Sequence, residues 1–364
     1  MNDLLYWIWL QQALGYGSNK LIEILRKVDS IEDFYHLGLS SWISLSIFTK
    51  RELLNLSKSL DESKKICENC NRLGYKIVPY NSSKFPEILR KISDSPCVLY
   101  VKGKTSVLSN KCISIVGSRS ATVYGTQMAH EISFDLSKMG ITIVSGCALG
   151  TDTAAHRGAI DAKGITIGVL ACGIDYPYLV KNASLREKIS NFGALISEFP
   201  PGYQIRKYNF PIRNRIISGI SNATVIIEAG KRSGAIITAN IAADQGRDVF
   251  VVPVKFDNPL CQGVNSLIED GAKVITCAED IVRESFCNKP KDQLKFTSDT
   301  YEHNKKKLPH ELQSVLDAIG NQVIHINKLV NTTNTPIKNL SAILMRLELM
   351  HLVTHLPGKF YKKK

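Results

Sequence analysis

The segment SEFPPGYQIRKYNFPIRNRIISG, residues 197–219, brings cationic and aromatic side chains close together. The cations are Arg206, Lys207, Arg213 and Arg215, and the rings are Tyr203, Tyr208 and Phe210. Binding of single-stranded nucleic acid uses both kinds of group, because cations attract phosphates and flat rings stack on unpaired bases. Asn209 and Arg213 are four residues apart and share one face of a helix that is entered at Pro211. A solvated basic face with Phe210 in the core is the alternative.

Three loops have the pattern of anion-binding sites, in which a buried strand is followed by glycine and then by a helix. They contain Gly117, Ser118 and Arg119 after CISIV, Ser145 and Gly146 after ITIV, and Lys231, Ser233 and Gly234 after ATVIIEA. Glycine allows a ligand to approach the backbone closely, and the free amides of a helix N-terminus attract anions. The loops therefore predict contacts with phosphate.

Three polar residues near these loops have open roles. Asp152 is as compatible with capping a helix as with contacting a ligand. His156 lies within the same helical stretch, where a structural role is expected rather than general-base catalysis. Glu228 follows the apolar run ATVII and is expected to pair with Arg213 or Arg215, with contact to a base edge as the alternative.

Several enzyme signatures are missing from the sequence. The loop at 117–125 lacks the GxxxxGK[ST] pattern of a P-loop and the GxGxxG pattern of a dinucleotide-binding turn. No catalytic triad or set of metal ligands stands out, and the CxxC of Cys67 and Cys70 has no second pair at zinc-like spacing. We therefore predict no catalytic residue, no metal and no cofactor.

The elements that must position these loops follow from the hydrophobic pattern. Nine short apolar runs between residues 76 and 285 alternate with helical stretches: KIVPY, CVLYVKG, CISIVGS, ITIVSG, ITIGVLACG, ALISEF, ATVIIEA, DVFVVPV and KVITC. Most are apolar on both faces, which is typical of parallel strands covered by helices on both sides. The pattern predicts an α/β fold with an extended, Rossmann-like, doubly wound sheet.

The two ends of the chain have different patterns. Residues 1–75 predict a small helical domain, in which Gly15-Tyr16-Gly17 is either a simple turn or a phosphate-binding turn of the helix-hairpin-helix kind. The polar, lysine-rich residues 286–308 predict a linker. Residues 309–364 have the helix-helix-helix-hairpin pattern of a winged-helix domain.

Composition narrows the class of protein further. The chain of 364 residues has a formal net charge of +13, and residues 286–364 contain 13 basic and 6 acidic side chains, so a polyanion is a reasonable partner. Nine scattered cysteines indicate a reducing compartment. No apolar run is long enough for a membrane span and the N-terminus is unlike a signal peptide, so we predict a cytoplasmic protein without a membrane partner.

The chain resembles the DprA/Smf family over nearly its whole length. The matching motifs are SIVGSR at 114–119, SGCALGTDTAAHRGA at 145–159, ISEFPPG at 196–202, NFPIRNRIISG at 209–219, SGAIITA at 233–239 and GVNSLIEDGA at 263–272. The resemblance implies a homodimer that protects incoming single-stranded DNA, displaces single-strand binding protein and loads the RecA recombinase during natural transformation. It also implies that residues 1–75 form a domain of the SAM or helix-hairpin-helix kind.

The DNA-binding residues are predicted from the loops, from the cationic segment and from the family motifs. They are Gly117, Ser118, Arg119, Ser145, Gly146, Lys181, Lys207, Asn209, Phe210, Arg213, Asn214, Arg215, Lys231, Ser233 and Gly234. Lys181 is included because the family often has a basic residue there, and Lys207 because of its neighbours. The sequence departs from the family pattern at Leu149 and Asn240, where basic residues are usual.

Two other functions remain open at this point. Rossmann-like enzymes that hydrolyse nucleoside monophosphates also have glycine-rich loops and a glutamate such as Glu228, although their PGGxGT loop is replaced here by EAGKRSGA. A winged-helix regulator of duplex DNA is the other alternative. Its recognition helix would have only Lys338, Asn339 and Arg346 for groove contacts.

Overall fold

The structure is a computed structural model. It describes residues 2–231, 233–254, 260–286, 310–320, 324–333, 335–349, 352–356, 358 and 360–363. Most of the predicted linker at 286–308 lies outside the described residues. The chain forms two compact units, residues 1–289 and residues 290–364.

The first unit contains fourteen α-helices among its described residues. They are α1 (Asn2–Leu14), α2 (Leu21–Leu25), α3 (Ile31–His36), α4 (Gly38–Ser44), α5 (Lys50–Leu56), α6 (Asp61–Leu73), α7 (Glu87–Arg90), α8 (Val123–Lys138), α9 (Thr151–Asp161), α10 (Ala183–Phe192), α11 (Asn209–Gly219), α12 (Gly234–Asp244), α13 (Cys261–Glu269) and α14 (Ala278–Phe286). Short 3₁₀ helices span Thr105–Ser109 and Val180–Asn182.

Nine strands form one sheet in the described part of this unit. They are β1 (Lys76–Pro79), β2 (Val98–Gly103), β3 (Cys112–Val116), β4 (Thr142–Ser145), β5 (Thr166–Leu170), β6 (Ala194–Ser197), β7 (Ala223–Ile226), β8 (Asp248–Val251) and β9 (Lys273–Val274). Each of the nine predicted runs supplies one strand. The order is β1-β2-β6-β5-β4-β3-β7-β8-β9, and β2 is antiparallel to both of its neighbours. The Rossmann-like prediction is confirmed, with this reversed strand as an addition.

The sheet is covered on both faces, which explains why its central strands are mainly apolar. Along β3, Ile113 and Ile115 point to a core with α8, α9 and α14, whereas Cys112 and Val116 point to a core with α7, α11, α12 and α13. Successive side chains of a strand point to opposite faces, so both alternating sets are mainly apolar, and the buried Ser114 hydroxyl is hydrogen-bonded.

The N-terminal helices pack against the β1 end of this sheet. Their core, which includes Trp7, Trp9 and Phe34, is continuous with Val98, Tyr100 and other sheet residues. The predicted helical segment is therefore part of the same compact unit as the sheet. Its helices have ordinary end signals: Thr49 and Glu52 form a capping box on α5, and α6 ends at Gly74 with φ of 69°.

The second unit has the winged-helix fold. Its described elements are α15 (His310–Ile319), β10 (Ile324–His325), α16 (Ile326–Thr333), α17 (Ile337–Leu349), β11 (Val353–Leu356) and β12 (Phe360–Lys363). The strands pair in the order β10-β12-β11, and the three helices bury Leu316, Leu329 and Leu344 among others. In the described parts of both units, no helix has the length and apolar character of a membrane span.

Candidate nucleic-acid interface

The candidate site lies where the chain reverses its direction across the sheet. From β3 the chain adds β4, β5 and β6 on one side, and it then returns to place β7 on the other side of β3. Ligands of open α/β sheets bind at the carboxyl ends of the strands beside such a reversal. An open pocket of about 420 Å³ is found there, lined by Val116, Gly117, Ser118, Arg119, Ala148, Asp152, Phe210, Arg213, Asn214, Ile217, Ser233, Gly234, Ala235 and Thr238.

The first wall of the pocket is the loop after β3. Ser118 accepts hydrogen bonds through its carbonyl oxygen from the amide and the hydroxyl of Thr151, both at 3.2 Å, which holds the loop against the start of α9. A Cβ atom on Gly117 would lie 2.5 Å from the Thr151 hydroxyl oxygen, so the close approach needs glycine. Beyond this anchored turn, the side chain of Arg119 is exposed.

The second wall is the first half of α11. Phe210 is half-buried, and the guanidinium carbons of Arg119 and Arg213 lie 4.8 Å and 5.9 Å from the centre of its ring. Tyr178 meets the same ring edge-on, with 6.0 Å between ring centres. The structure therefore brings Arg119 together with Phe210 and Arg213, which lie 91 and 94 positions later in the sequence.

Arg213 is buried and rigidly held, unlike Arg119. Its Nη1 donates to the carbonyl oxygens of Gly146 and Val169, both at 2.6 Å, and its Nε donates to Asn214 Oδ1 at 3.1 Å. Burial lowers the pKa of the guanidinium, while the nearby Asp152 carboxylate opposes this shift. A Cβ on Gly146 would lie 2.6 Å from Arg213 Nη1, so Gly146 serves by leaving space for the arginine.

The third wall is the start of α12. The Ser233 hydroxyl accepts from the amide of Ile236 at 3.4 Å, which caps the helix, and Gly234, Ala235 and Thr238 line the pocket from its first turns. The helix N-terminus adds partial positive charge beside the two arginines. Lys231 is exposed in the preceding turn but is not a lining residue.

One acidic side chain also lines the pocket. Asp152 is 6% exposed, and its Oδ2 accepts from the amide of Ala148 at 3.1 Å. Burial raises the pKa of this carboxyl group, and Arg213 acts in the opposite direction. Asp152 lies inside α9 after the cap residue Gly150, so it is a pocket residue and not the helix cap.

Other predicted site residues support the pocket from behind or lie outside it. The Ser145 hydroxyl donates to the carbonyl of Ile115 at 2.7 Å, and Asn209 Nδ2 donates to the carbonyl of Ala171 at 2.8 Å, both within the buried interior. Lys181 and Lys207 are exposed and do not line the pocket. Asn209 therefore does not share the accessible face of α11 with Arg213.

Arg215 has a different position from the one predicted. It is 3% exposed, pairs with the carboxylate of Glu198, and also donates to the carbonyl oxygen of Asp94. The helical turn directs Arg213 toward the pocket and Arg215 toward the N-terminal helices. This geometry contradicts a direct contact between Arg215 and DNA.

The predicted pairing of Glu228 with Arg213 or Arg215 is also wrong. Glu228 accepts from the Thr122 amide at 2.8 Å and from the Thr122 hydroxyl at 2.6 Å, so it supports the start of α8. His156 is buried between Cys147 Sγ at 3.5 Å and Thr166 Oγ1 at 2.7 Å, which is the structural position expected for it.

The glycine turn at residues 15–17 makes its contacts within the protein. The Gly17 amide donates to Glu198 Oε1 at 3.3 Å, and the Tyr16 ring packs on Phe199 and Tyr203 with ring centres 4.6 Å and 5.0 Å apart. The turn therefore attaches the N-terminal helices to the sheet unit, and the Gly17 amide is not available to a phosphate.

Some lining residues were not predicted from sequence. Ile217 lies four residues after Arg213 and Thr238 four residues after Gly234, so helical spacing could have indicated both. Ala148 has no chemical signal of its own. Among the described residues, no group of three or more His, Cys, Asp or Glu side chains could hold a metal ion.

Comparison with known proteins agrees with this architecture. Residues 76–286 match the family model described as DNA recombination-mediator protein A, and residues 302–359 match the DprA winged helix domain. The DNA processing protein DprA of Bacillus subtilis is 41% identical over 212 residues, which are 58% of this chain and 71% of that protein.

Two solved structures are similar to the chain. The X-ray structure of DNA processing protein A from Streptococcus pneumoniae superposes with a TM-score of 0.67 at 30% identity, covering 76% of this chain and 96% of that one. DNA processing protein A from Helicobacter pylori, described for its single-stranded DNA binding mode, has a TM-score of 0.53 at 28% identity, covering 58% of this chain and 94% of that one.

Proposed function

This chain belongs to the DprA family of DNA recombination-mediator proteins. We propose that it binds single-stranded DNA at the pocket lined by Arg119, Phe210 and Arg213, and that it acts without catalysing a reaction. The Helicobacter pylori relative, which is described as binding single-stranded DNA, supports the choice of ligand. The physical support comes from the pocket itself.

The observation that carries the proposal is the Phe210 ring at the open edge of the sheet, with the guanidinium carbons of Arg119 and Arg213 within 4.8 Å and 5.9 Å of its centre. A half-buried ring can stack on an unpaired base, whereas a base inside a duplex is already stacked between its neighbours. Arg119, which is exposed beside the ring, can bind the adjoining phosphate with two parallel hydrogen bonds. The pocket thus suits a nucleotide of an unpaired strand.

Arg213 and the start of α12 contribute in a different way. Arg213 is held by two carbonyl oxygens, so it supplies a fixed positive charge and does not reorient to follow the ligand. Fixed charges and helix amides attract phosphate without an ordering cost upon binding. We expect affinity to depend strongly on salt and weakly on base sequence.

The test is a fluorescence anisotropy titration of labelled single-stranded and duplex DNA at about 50 and 200 mM salt. Unlabelled duplex competes against the labelled single strand in a second titration. Tight single-strand binding that duplex does not displace supports the proposal. Preference for duplex would instead favour the winged-helix domain as a duplex reader.

Arg119→Ala is the informative variant, because Arg119 is exposed and its loss leaves the fold intact. Losing a charge-assisted contact should weaken binding about 10- to 150-fold. It should also reduce the slope of log affinity against log salt by about 0.7. Unchanged affinity and slope would remove Arg119 from the interface.

Arg72→Ala is the matched control. Arg72 is exposed on α6, which packs beside β1, and β1 is five strand positions from β3, about 24 Å away. The same change of residue type at this distance should leave both affinity and slope as they are.

The finer role that we propose is loading of RecA onto single-stranded DNA by a cytoplasmic homodimer, with displacement of single-strand binding protein during natural transformation. Membership of the family supports this role. A RecA filament assembly assay on DNA coated with single-strand binding protein tests it, with Arg119→Ala as the DNA-binding-deficient comparison. Faster assembly with the unaltered protein only is the expected result.

No observation favours the nucleotide hydrolase alternative. That reading depends on Glu228, which accepts hydrogen bonds from Thr122 and does not line the pocket. Release of free base from AMP in the presence of the protein would contradict our proposal.

A further inference from the structure

The pentapeptide EILRK occurs twice in the chain, at residues 23–27 and 87–91. The first copy begins inside α2, which ends at Leu25 with Arg26 as its cap. In the second copy, residues 87–90 form α7 and Lys91 is its cap, so each Arg-Lys pair lies at the C-terminal end of a short helix. The two copies are far apart in sequence, and the fold brings them together.

Both copies line one groove of about 720 Å³. Its polar lining includes Asn19, Glu23, Arg26, Lys27, Arg90 and Lys91, so each pentapeptide contributes its arginine and its lysine. Four cations therefore face a single depression outside the pocket described above, with Glu23 as the acidic side chain among the lining residues.

Two of these cations are already paired and two are not. Lys27 Nζ lies 3.3 Å from Glu23 Oε1, and Arg90 Nη1 lies 2.8 Å from Glu87 Oε2. Arg90 is further held by the carbonyl oxygens of Tyr80 and Ser82. Arg26 and Lys91 are exposed, and within the described part of the chain neither has a carboxylate oxygen within 4.0 Å.

The groove adjoins α11, which carries the Phe210 pocket. Leu89 and Ile92, which flank the second pentapeptide's basic pair, pack with Ile216 and Ile217 of α11. On the α2 side, Gly17 approaches Ile212 of α11 and Asn19 lines the groove. Helix α11 therefore contributes lining residues to the pocket and also contacts the segments that carry the groove.

We propose that this groove, which we call the EILRK groove, binds the phosphate backbone of the same DNA strand outside the pocket. The proposal rests on the proposed function. Arg26 and Lys91, two exposed cations at the C-terminal caps of α2 and α7, suit the repeated charges of a polynucleotide. No aromatic side chain is among the groove residues, so it offers charge without stacking. Its apolar lining residues are Ile22 and the buried Ile92.

The test compares a short and a long thymidine oligonucleotide, of about 6 and about 25 nucleotides, by anisotropy over a series of salt concentrations. The variant is Arg26→Ala combined with Lys91→Ala, since both side chains are exposed and the ion pairs stay intact. For the long strand the salt slope should fall by about 1.4, which corresponds to two phosphate contacts. For the short strand, which offers fewer phosphates outside the pocket, the slope should fall less.

The matched control is Arg157→Ala combined with Lys188→Ala. It removes the same charge from exposed positions on α9 and α10, of which α9 covers the opposite face of the sheet. An equal loss in this control would mean that only net charge matters and would overturn the proposal, as would an unchanged slope in the groove variant. If Arg119→Ala also has no effect on either strand, then the proposed function itself fails. If Arg119→Ala weakens binding but the groove variant leaves the salt slope unchanged, the pocket binds DNA and the groove does not.

Discussion

The buried pair of Arg215 and Glu198 separates structural from DNA-binding arginines within one helix. The Glu198 side chain is 1% exposed and that of Arg215 is 4% exposed, and Glu198 also accepts from the Gly17 amide. Arg215→Met keeps the aliphatic length of the side chain but leaves the Glu198 carboxylate in the interior without its cation. Asp94 loses the same partner at the rim.

The expected cost follows from this burial. Removing one member of a buried ion pair destabilises a protein by about 3–5 kcal/mol, because the remaining charge is neither solvated nor paired. The Gly17 amide remains as a partner, which places the expected loss near the lower end of that range. Burial raises the pKa of Glu198 and Arg215 opposes this, so loss of the arginine raises it further. A carboxyl with a raised folded-state pKa binds a proton as pH falls, so the cost should shrink toward acidic pH.

The assay is urea unfolding at pH 7 and pH 5 for the unaltered protein, Arg215→Met, Glu198→Gln and the double variant. The double variant should lose less than the sum of the two single losses, because Arg215 and Glu198 interact directly. Arg157→Met, an exposed control, should change stability by less than about 0.5 kcal/mol.

DNA binding gives the second readout of the same variants. Under conditions in which Arg215→Met is folded, its salt slope for single-stranded DNA should equal that of the unaltered protein. Either a stability within about 0.5 kcal/mol of the unaltered protein or a slope lowered by about 0.7 would refute the structural role of Arg215.

Two further predictions concern the pocket ring and a buried histidine. Phe210→Ala should weaken single-strand binding by about 1–3 kcal/mol and leave the salt slope unchanged. Phe210→Tyr, which keeps a ring at this position, should bind with the affinity of the unaltered protein. A changed slope in Phe210→Ala would mean that the ring does not act by stacking. Burial lowers the pKa of His156 to about 3 from 6.5, so below about pH 6.5 the unfolded chain binds a proton that the folded protein does not. The free energy of unfolding should therefore decrease as the pH decreases below about 6.5, by up to about 1.4 kcal/mol per pH unit. His156→Gln should lose this part of the pH dependence, which urea unfolding at pH 7 and pH 5 measures.

The strands and the loops that follow them were predictable from short-range pattern. A parallel strand buried on both faces, such as β3, is mainly apolar, and four of its five residues show this. The glycine at 117 before Ser118 and Arg119 likewise marks a close approach at a strand end. The reversed direction of β2 left no such mark, because an apolar strand pairs equally well in either direction.

The direction of side chains on α11 was not predictable in the same way. Asn209, Phe210, Arg213 and Arg215 were all expected at the DNA surface because of their type. The structure turns Phe210 and Arg213 to the pocket, buries Asn209 under the loop and gives Arg215 to Glu198. A helix distributes neighbouring residues around its axis, so composition shows which groups are present but not which way each points.

The sequence by itself determined the sheet, the winged-helix unit and the presence of cations with aromatic rings after the strands, since these depend on periodicity and residue type. Only the tertiary structure decided which of those cations are free to meet a ligand. Arg119 remains exposed, Arg213 is fixed by carbonyl oxygens, and Arg215 is neutralised by a carboxylate 17 positions away. The physical reason is that the availability of a charge depends on the groups packed around it, and distant parts of the chain supply those groups.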